Sequence, residues 1–166
     1  ILPGVGSFDW AMEKLESSGM RGMLDEMVLE QKVPVLGVCV GMQIMAKRSD
    51  EGTSEGLGWL DAEVRRFDQE CEPKVIRLPH MGWNDVEPIH SEGLFNNLID
   101  PRFYFLHSYY FLPNSSEIIL AQSHYHIQFV SSVSKSGIMG VQFHPEKSHQ
   151  WGVQLLKNFS EIQPSL

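Results

Sequence analysis

The 166 residues suffice for one domain and not for two ordinary ones, and 42% apolar with 20% charged residues excludes a disordered chain. Thirteen Lys and Arg against twenty-one Asp and Glu leave a net charge of -8, which argues against nucleic acid or an anionic membrane surface as the main partner. The longest apolar runs, such as 33–40, are too short to cross a bilayer, and Cys39 and Cys71 make no disulfide framework; without a signal-peptide pattern, a cytoplasmic location is expected.

The chain opens on Ile1-Leu2-Pro3-Gly4 with no initiator Met, which reads as a domain entered near the end of a strand. Residues 8–31 carry apolar positions at helical spacing, first Phe8, Met12 and Leu15, then Met23, Leu24, Met27 and Val28. Gly19 lies between the two sets, so two helical pieces or one broken helix are predicted. The run 33–40 reads as a buried strand, and helical spacing resumes from Met42 to Arg48. Segments 59–67, 74–78, 103–111, 117–123 and 127–133 read as strands, and Ser134 to Gly137 as a tight turn into a strand at 138–143. A final helix is predicted from about His149 to Ile162. Helices at both ends and strands throughout indicate an α/β domain with an antiparallel extension.

Cys39 stands in Gly37-Val38-Cys39-Val40-Gly41, on the turn from strand to helix. Such a turn pushes a nucleophile clear of the sheet, and the glycines relieve crowding at the bend. The helix amino end would favour thiolate. An isolated cysteine more often merely packs; the glycine pair reverses that preference. In Gln142-Phe143-His144-Pro145-Glu146, the proline stops the strand and Glu146 can return its carboxylate to one imidazole nitrogen. The other nitrogen is left for a thiol, which is the nucleophile, base and orienter arrangement of acyl transfer. Gly4, Val5 and Gly6 form a loop able to expose successive N–H groups, either as an oxyanion hole or as a plain turn.

With these motifs the chain resembles the class I (triad) glutamine amidotransferases, and within them the glutaminase subunits of imidazole glycerol phosphate synthases. The most specific pieces are 2–8, 37–43, the Pro79-His80-Met81-Gly82-Trp83-Asn84 run, 103–109 and 142–148. The resemblance implies a three-layer, flavodoxin-like fold over residues 1–166, with a family strand and helix expected ahead of Ile1. It implies Cys39, His144 and Glu146 as the catalytic triad, and oxyanion stabilisation by the Val40 N–H with a reoriented Gly4-Val5-Gly6 loop. Gln43 and Glu51 would hold the amino-acid end of glutamine, and Ser108 and Tyr109 would line it through the backbone. The implied partner is a (β/α)8 synthase subunit that receives ammonia in histidine biosynthesis, with Lys147, and also Trp83 and Asn84, as interface candidates. No cofactor and no metal are implied.

The stretch 47–62 also resembles a paralogous branch whose ammonia amidates a surface-polysaccharide sugar. A stand-alone Cys hydrolase of related fold is a further alternative, and a non-catalytic binding module another. The remaining histidines show no metal-ligand spacing. His124 and His126 alternate along an expected strand, and Cys71 reads as an exposed bystander.

Overall fold

The computed structural model describes residues 1–67 and 76–163. Cys71 and part of the strand expected at 74–78 lie outside them. The main sheet runs in the order β1 (Leu2–Gly4), β2 (Val35–Cys39), β11 (Ile138–Val141), β10 (Ile127–Lys135), β8 (Tyr109–Pro113), β4 (Ala62–Arg66) and β3 (Arg48–Ser49). Strands β1, β2 and β11 are mutually parallel, and β10, β8 and β4 continue the sheet antiparallel. Strand β9 (Ile119–Tyr125) pairs with β10, and β6 (Glu87–Pro88) with β9. A separate ribbon joins β5 (His80–Asp85) to β7 (Arg102–His107). This is the expected α/β domain with an antiparallel extension.

The helices follow from local chemistry. In α1 (Phe8–Ser17) the Ser7 hydroxyl accepts the Trp10 N–H at 3.3 Å, and Gly19 at φ 68° ends the run. The second expected piece is α2 (Arg21–Asp25), prolonged as one π-helical turn over Glu26–Glu30. The last helix, α4 (His149–Ser160), stops two residues short of the expected end. Between β10 and β11, Ser136 and Gly137 take positive φ, the backbone that a two-residue hairpin needs.

Three expectations fail for identifiable reasons. The helix predicted over 42–48 is only α3 (Val40–Gln43). The carbonyls of Ile44, Ala46 and Lys47 are taken by the N–H groups of Leu57, Gly58 and Gly56, so the chain turns into β3 instead. The single strand expected at 103–111 breaks at Ser108, because its halves join different sheets, β7 with β5 and β8 with β4 and β10. His126 sits at φ 60° between β9 and β10, so it does not alternate with His124 on one strand.

The core is aromatic. Phe8, Phe67, Phe95, Phe103, Phe105, Phe111, Phe129 and Phe143 are fully buried, and the rings of Phe103 and Phe143 stack at 3.9 Å. Close backbone approach shapes the edge next to Cys39. A side-chain carbon added at Gly41 would stand 1.9 Å from the Leu2 carbonyl oxygen. Gly41→Ala is therefore expected to cost about 3 kcal/mol or more in urea unfolding, since the obstacle is backbone and cannot swing away. A loss under about 1 kcal/mol would mean that β1 is not seated there.

Candidate active site

Strand β2 runs fully buried up to Cys39, which takes φ 54° and ψ -114°. That conformation is strained for a residue with a Cβ, and it turns the chain abruptly into α3. Gly37 is required beneath the turn, where an added carbon would meet the Gly41 carbonyl oxygen at 2.7 Å. The thiol is 5% exposed, directed towards the Leu106 carbonyl at 3.9 Å, and receives the Gln142 Nε2 amide at 3.7 Å.

Cys39 does not rest as the expected thiolate. Burial pushes the Cys39 thiol up to about 11, against the opposing pull of the Val40 N–H. The nearby carboxylates of Glu146 and Glu51 raise it further, and the Gln142 amide lowers it. Helix α3 has a single turn, so its dipole is too small to outweigh desolvation. At neutral pH the resting group is a thiol, and attack requires a base.

The residue expected as base, His144, follows the neighbouring parallel strand. β11 aligns Val141 with Val38, and the chain then runs through Gln142 and Phe143 to His144. The His144 N–H donates to the Tyr104 carbonyl at 2.8 Å, and the buried Ser148 hydroxyl donates to the His144 carbonyl at 2.6 Å. The same hydroxyl accepts the Tyr104 N–H at 3.0 Å, so Ser148 locks β7 to the His144 turn. The Glu146 Oε1 atom lies 2.8 Å from His144 Nδ1. A carboxylate accepts only, so Nδ1 carries the proton in the neutral ring and Nε2 keeps its lone pair.

Residues 1–162 match the family model described as glutamine amidotransferase class-I. The chain belongs to that family. The imidazole glycerol phosphate synthase subunit HisH of Bdellovibrio bacteriovorus is 54% identical over 98% of this chain and 80% of that protein. The subunit of the same name from Leptospira interrogans is 48% identical over the same shares. A crystal structure of a glutamine amidotransferase superposes with TM-score 0.69 at 19% identity, covering 95% of this chain and 77% of that one. A glutamine amidotransferase from Thermotoga maritima gives 0.60 at 21%, covering 96% and 60%. These structures, at such identities, establish the fold alone.

The other expected site residues of this class I amidotransferase are placed as follows. Gly4 is level with Cys39 in the β1–β2 ladder, and an added carbon there would meet the Gly41 nitrogen at 2.5 Å. Exposed Val5 and Gly6, with φ 97° at the glycine, extend past the ladder. Pro3, Gly4 and Val5 share with His144 and Glu146 a cavity of about 240 Å3. Gln43 is buried; its Nε2 donates to the Tyr109 carbonyl at 3.2 Å and to Gln142 Oε1 at 3.0 Å. Both N–H donors of the Gln43 amide are therefore engaged within the protein. Glu51 accepts the Phe8 N–H at 2.7 Å through Oε2. Ser108 and Tyr109 lie at the break between β7 and β8, half-buried. Lys147 lies over the Tyr104 ring at 5.7 Å.

Sequence reading assigned no role to several residues that the site uses. Gln142 bridges Cys39 and Gln43, and its signal was a polar residue within a run of buried ones, which must find partners. His107 and His80 form a second buried set: His107 Nδ1 is 2.7 Å from the Tyr109 carbonyl and His80 Nδ1 is 2.9 Å from His107 Nε2. Asn84 Nδ2 lies 3.3 Å from His80 Nε2 and donates to the His124 carbonyl. Since a carbonyl accepts only, one assignment satisfies both rings: each Nδ1 donates and each Nε2 accepts. The half-buried Asn84 side chain is thus engaged with His80 and the His124 carbonyl, whereas Trp83 lies on the outer face of the ribbon. Among the described residues, no three His, Cys, Asp or Glu side chains converge on a metal position, and no helix is long and apolar enough to cross a membrane.

Proposed function

We propose that the chain is the glutaminase subunit of an imidazole glycerol phosphate synthase. The observation that carries this reading is the strained Cys39 turn beside the His144–Glu146 pair, in a chain 54% identical to a protein of that name. His144 Nε2 removes the thiol proton as sulfur attacks the side-chain carbonyl carbon of glutamine. The oxyanion takes up the Val40 N–H, now directed at the sulfur, and N–H groups of the Val5-Gly6 segment. His144 returns its proton to the amide nitrogen, the carbon–nitrogen bond breaks and ammonia leaves. Water, deprotonated by His144, then hydrolyses the thioester to glutamate and restores the thiol. Glu146 stabilises the imidazolium through both steps. Glu51 pairs with the α-ammonium through Oε1, which has no other partner among the described residues, while the 108–109 backbone lines the substrate.

Ammonia released into water at neutral pH is protonated and lost as a nucleophile, so a docked acceptor enzyme is needed. The β5–β7 ribbon supports docking. Its inner face buries His80, Phe105 and His107, whereas its outer face presents Met81 (65% exposed), Leu106 (40%) and Trp83 (39%) beside Tyr104 and Lys147. The Cys39 thiol faces the backbone of this same ribbon. A (β/α)8 synthase subunit seated there would cover the site.

The test is glutamate release by the complete protein with its genomically neighbouring barrel subunit, with and without the imidazole-pathway nucleotide that the synthase consumes. Stimulation of at least tenfold by the nucleotide is expected. Release that needs the barrel but ignores the nucleotide would assign the ammonia to the sugar-amidating branch. Full release without the barrel would indicate a stand-alone hydrolase.

A further inference from the structure

Two loops from distant parts of the sequence are stapled together at the amino-acid end of the site. One runs through Gly4, Val5 and Gly6 into α1; the other is the 49–54 turn that carries Glu51. Each donates backbone N–H groups to a carboxylate of the other. Glu51 Oε2 accepts the Phe8 N–H at 2.7 Å. In return, Asp9 Oδ2 accepts the Thr53 N–H and Oδ1 accepts the Ser54 N–H, both at 3.0 Å. An acidic residue in the first turn of a helix ordinarily serves that helix's own amino end. Both Asp9 oxygens instead reach across to another element, and these two donors hold its carboxyl below the usual range.

The far side of the same turn is fixed independently. Ser49 Oγ accepts the Glu51 N–H at 3.1 Å, Asp50 Oδ2 accepts the Arg66 N–H at 3.2 Å, and Arg65 pairs with Asp50 Oδ1 at 3.3 Å. Glu51 therefore stands between two anchors, β4 on one side and Asp9 on the other. Gly52, the residue between Glu51 and Thr53, has no room for a side chain: an added carbon would lie 2.1 Å from Asp9 Oδ1. A flexible turn has been given a single seat, and the residue that defines the seat from the α1 side is Asp9.

We propose that Asp9 is a positioning residue for glutamine capture, acting through Glu51; this rests on the glutaminase reading above. By fixing residues 52–54 it holds the Glu51 carboxylate where one oxygen is bound by Phe8 and the other faces the substrate ammonium. Because Phe8 immediately follows the Gly4–Ser7 loop, the same staple ties ammonium binding to the segment that would supply oxyanion N–H groups. Asp9 touches neither substrate nor reacting atoms.

The test is a double-mutant cycle on glutamate release by the complete protein with its synthase subunit. Asp9→Ala, which removes both acceptors, is expected to raise the KM for glutamine about tenfold, with kcat changed about threefold or less. Gly52→Ala, which displaces the Asp9 carboxylate without altering it, should reproduce that split and protects the test against misfolding of one variant. Asp9→Asn keeps one acceptor oxygen and should fall between. On a Glu51→Gln background, Asp9→Ala should add less than about twofold. Full additivity on that background, or a loss in kcat alone, would overturn the proposal by reducing Asp9 to a structural residue. A wild-type protein that releases no glutamate would instead overturn the glutaminase reading itself.

Discussion

Replacing Cys39 with alanine is expected to lower glutamate release by about 10^4-fold or more while leaving the fold intact. Sulfur is the only atom lost, and the strained turn tolerates alanine as well as cysteine, so thermal unfolding should change little. A companion result follows from burial. With the thiol pushed up to about 11, alkylation of Cys39 by iodoacetamide at pH 7 should be far slower than for a free cysteine. The rate should climb through pH 9 and beyond, as thiolate forms. In the proposed mechanism the catalysed reaction escapes this handicap because His144 takes the proton during attack, when glutamine is bound. Fast alkylation at neutral pH in the resting protein would contradict the thiol assignment. Residual activity within tenfold of wild type would place the nucleophile elsewhere.

The buried histidine pair governs the second large effect, on stability. Burial depresses His80 to about 4 and His107 to about 3; the bond to the Tyr109 carbonyl opposes the shift at His107. His80 is sandwiched between Phe105 and Tyr125, at 4.8 and 4.1 Å, which explains its dehydration. In the unfolded chain both titrate near 6.5, so between about pH 6.5 and 4 the unfolded state binds protons that the folded state refuses. The stability is fully present above pH 6.5 and is lost as the pH falls towards 4. Each histidine contributes a slope of about 1.4 kcal/mol per pH unit, or about 4 kcal/mol for the pair by pH 5. Asp9 and Asp61, both held below the usual carboxylate range by their hydrogen bonds, titrate beneath this window. Urea midpoints at pH 7, 6 and 5 measure the slope. The double variant H80Q/H107Q should be less stable at pH 7 yet nearly flat down to pH 5, and an unchanged acid slope would exclude the pair as its source. Protonation turns an accepting Nε2 into a donor, so it breaks the His80–His107 or the Asn84–His80 bond and leaves the Nδ1 donation to the Tyr109 carbonyl in place.

The α/β class, the break at Gly19, the hairpin at 136–137 and the candidate nucleophile, base and orienter were all legible in the sequence. These are signals of local origin: glycine where backbone must turn sharply, proline where a ladder must stop, and a buried apolar run leading to a polar residue. What the sequence could not decide was which long-range partner wins a given polar group. The predicted helix from Met42 fails because residues 56–58 capture its carbonyls, and the strand at 103–111 splits because its halves bond to different sheets. The state of Cys39 belongs here too. A dipole argument from a local helix favoured thiolate, but burial by β7, β11 and Gln142 outweighs one turn of helix. Gln142, Ser148, His107 and Asp9 gain their roles only when residues 27 to 103 positions apart in the sequence meet as hydrogen-bond partners. Tertiary structure decided those, because desolvation and hydrogen-bond pairing depend on what packs around a group and not on its neighbours in the chain.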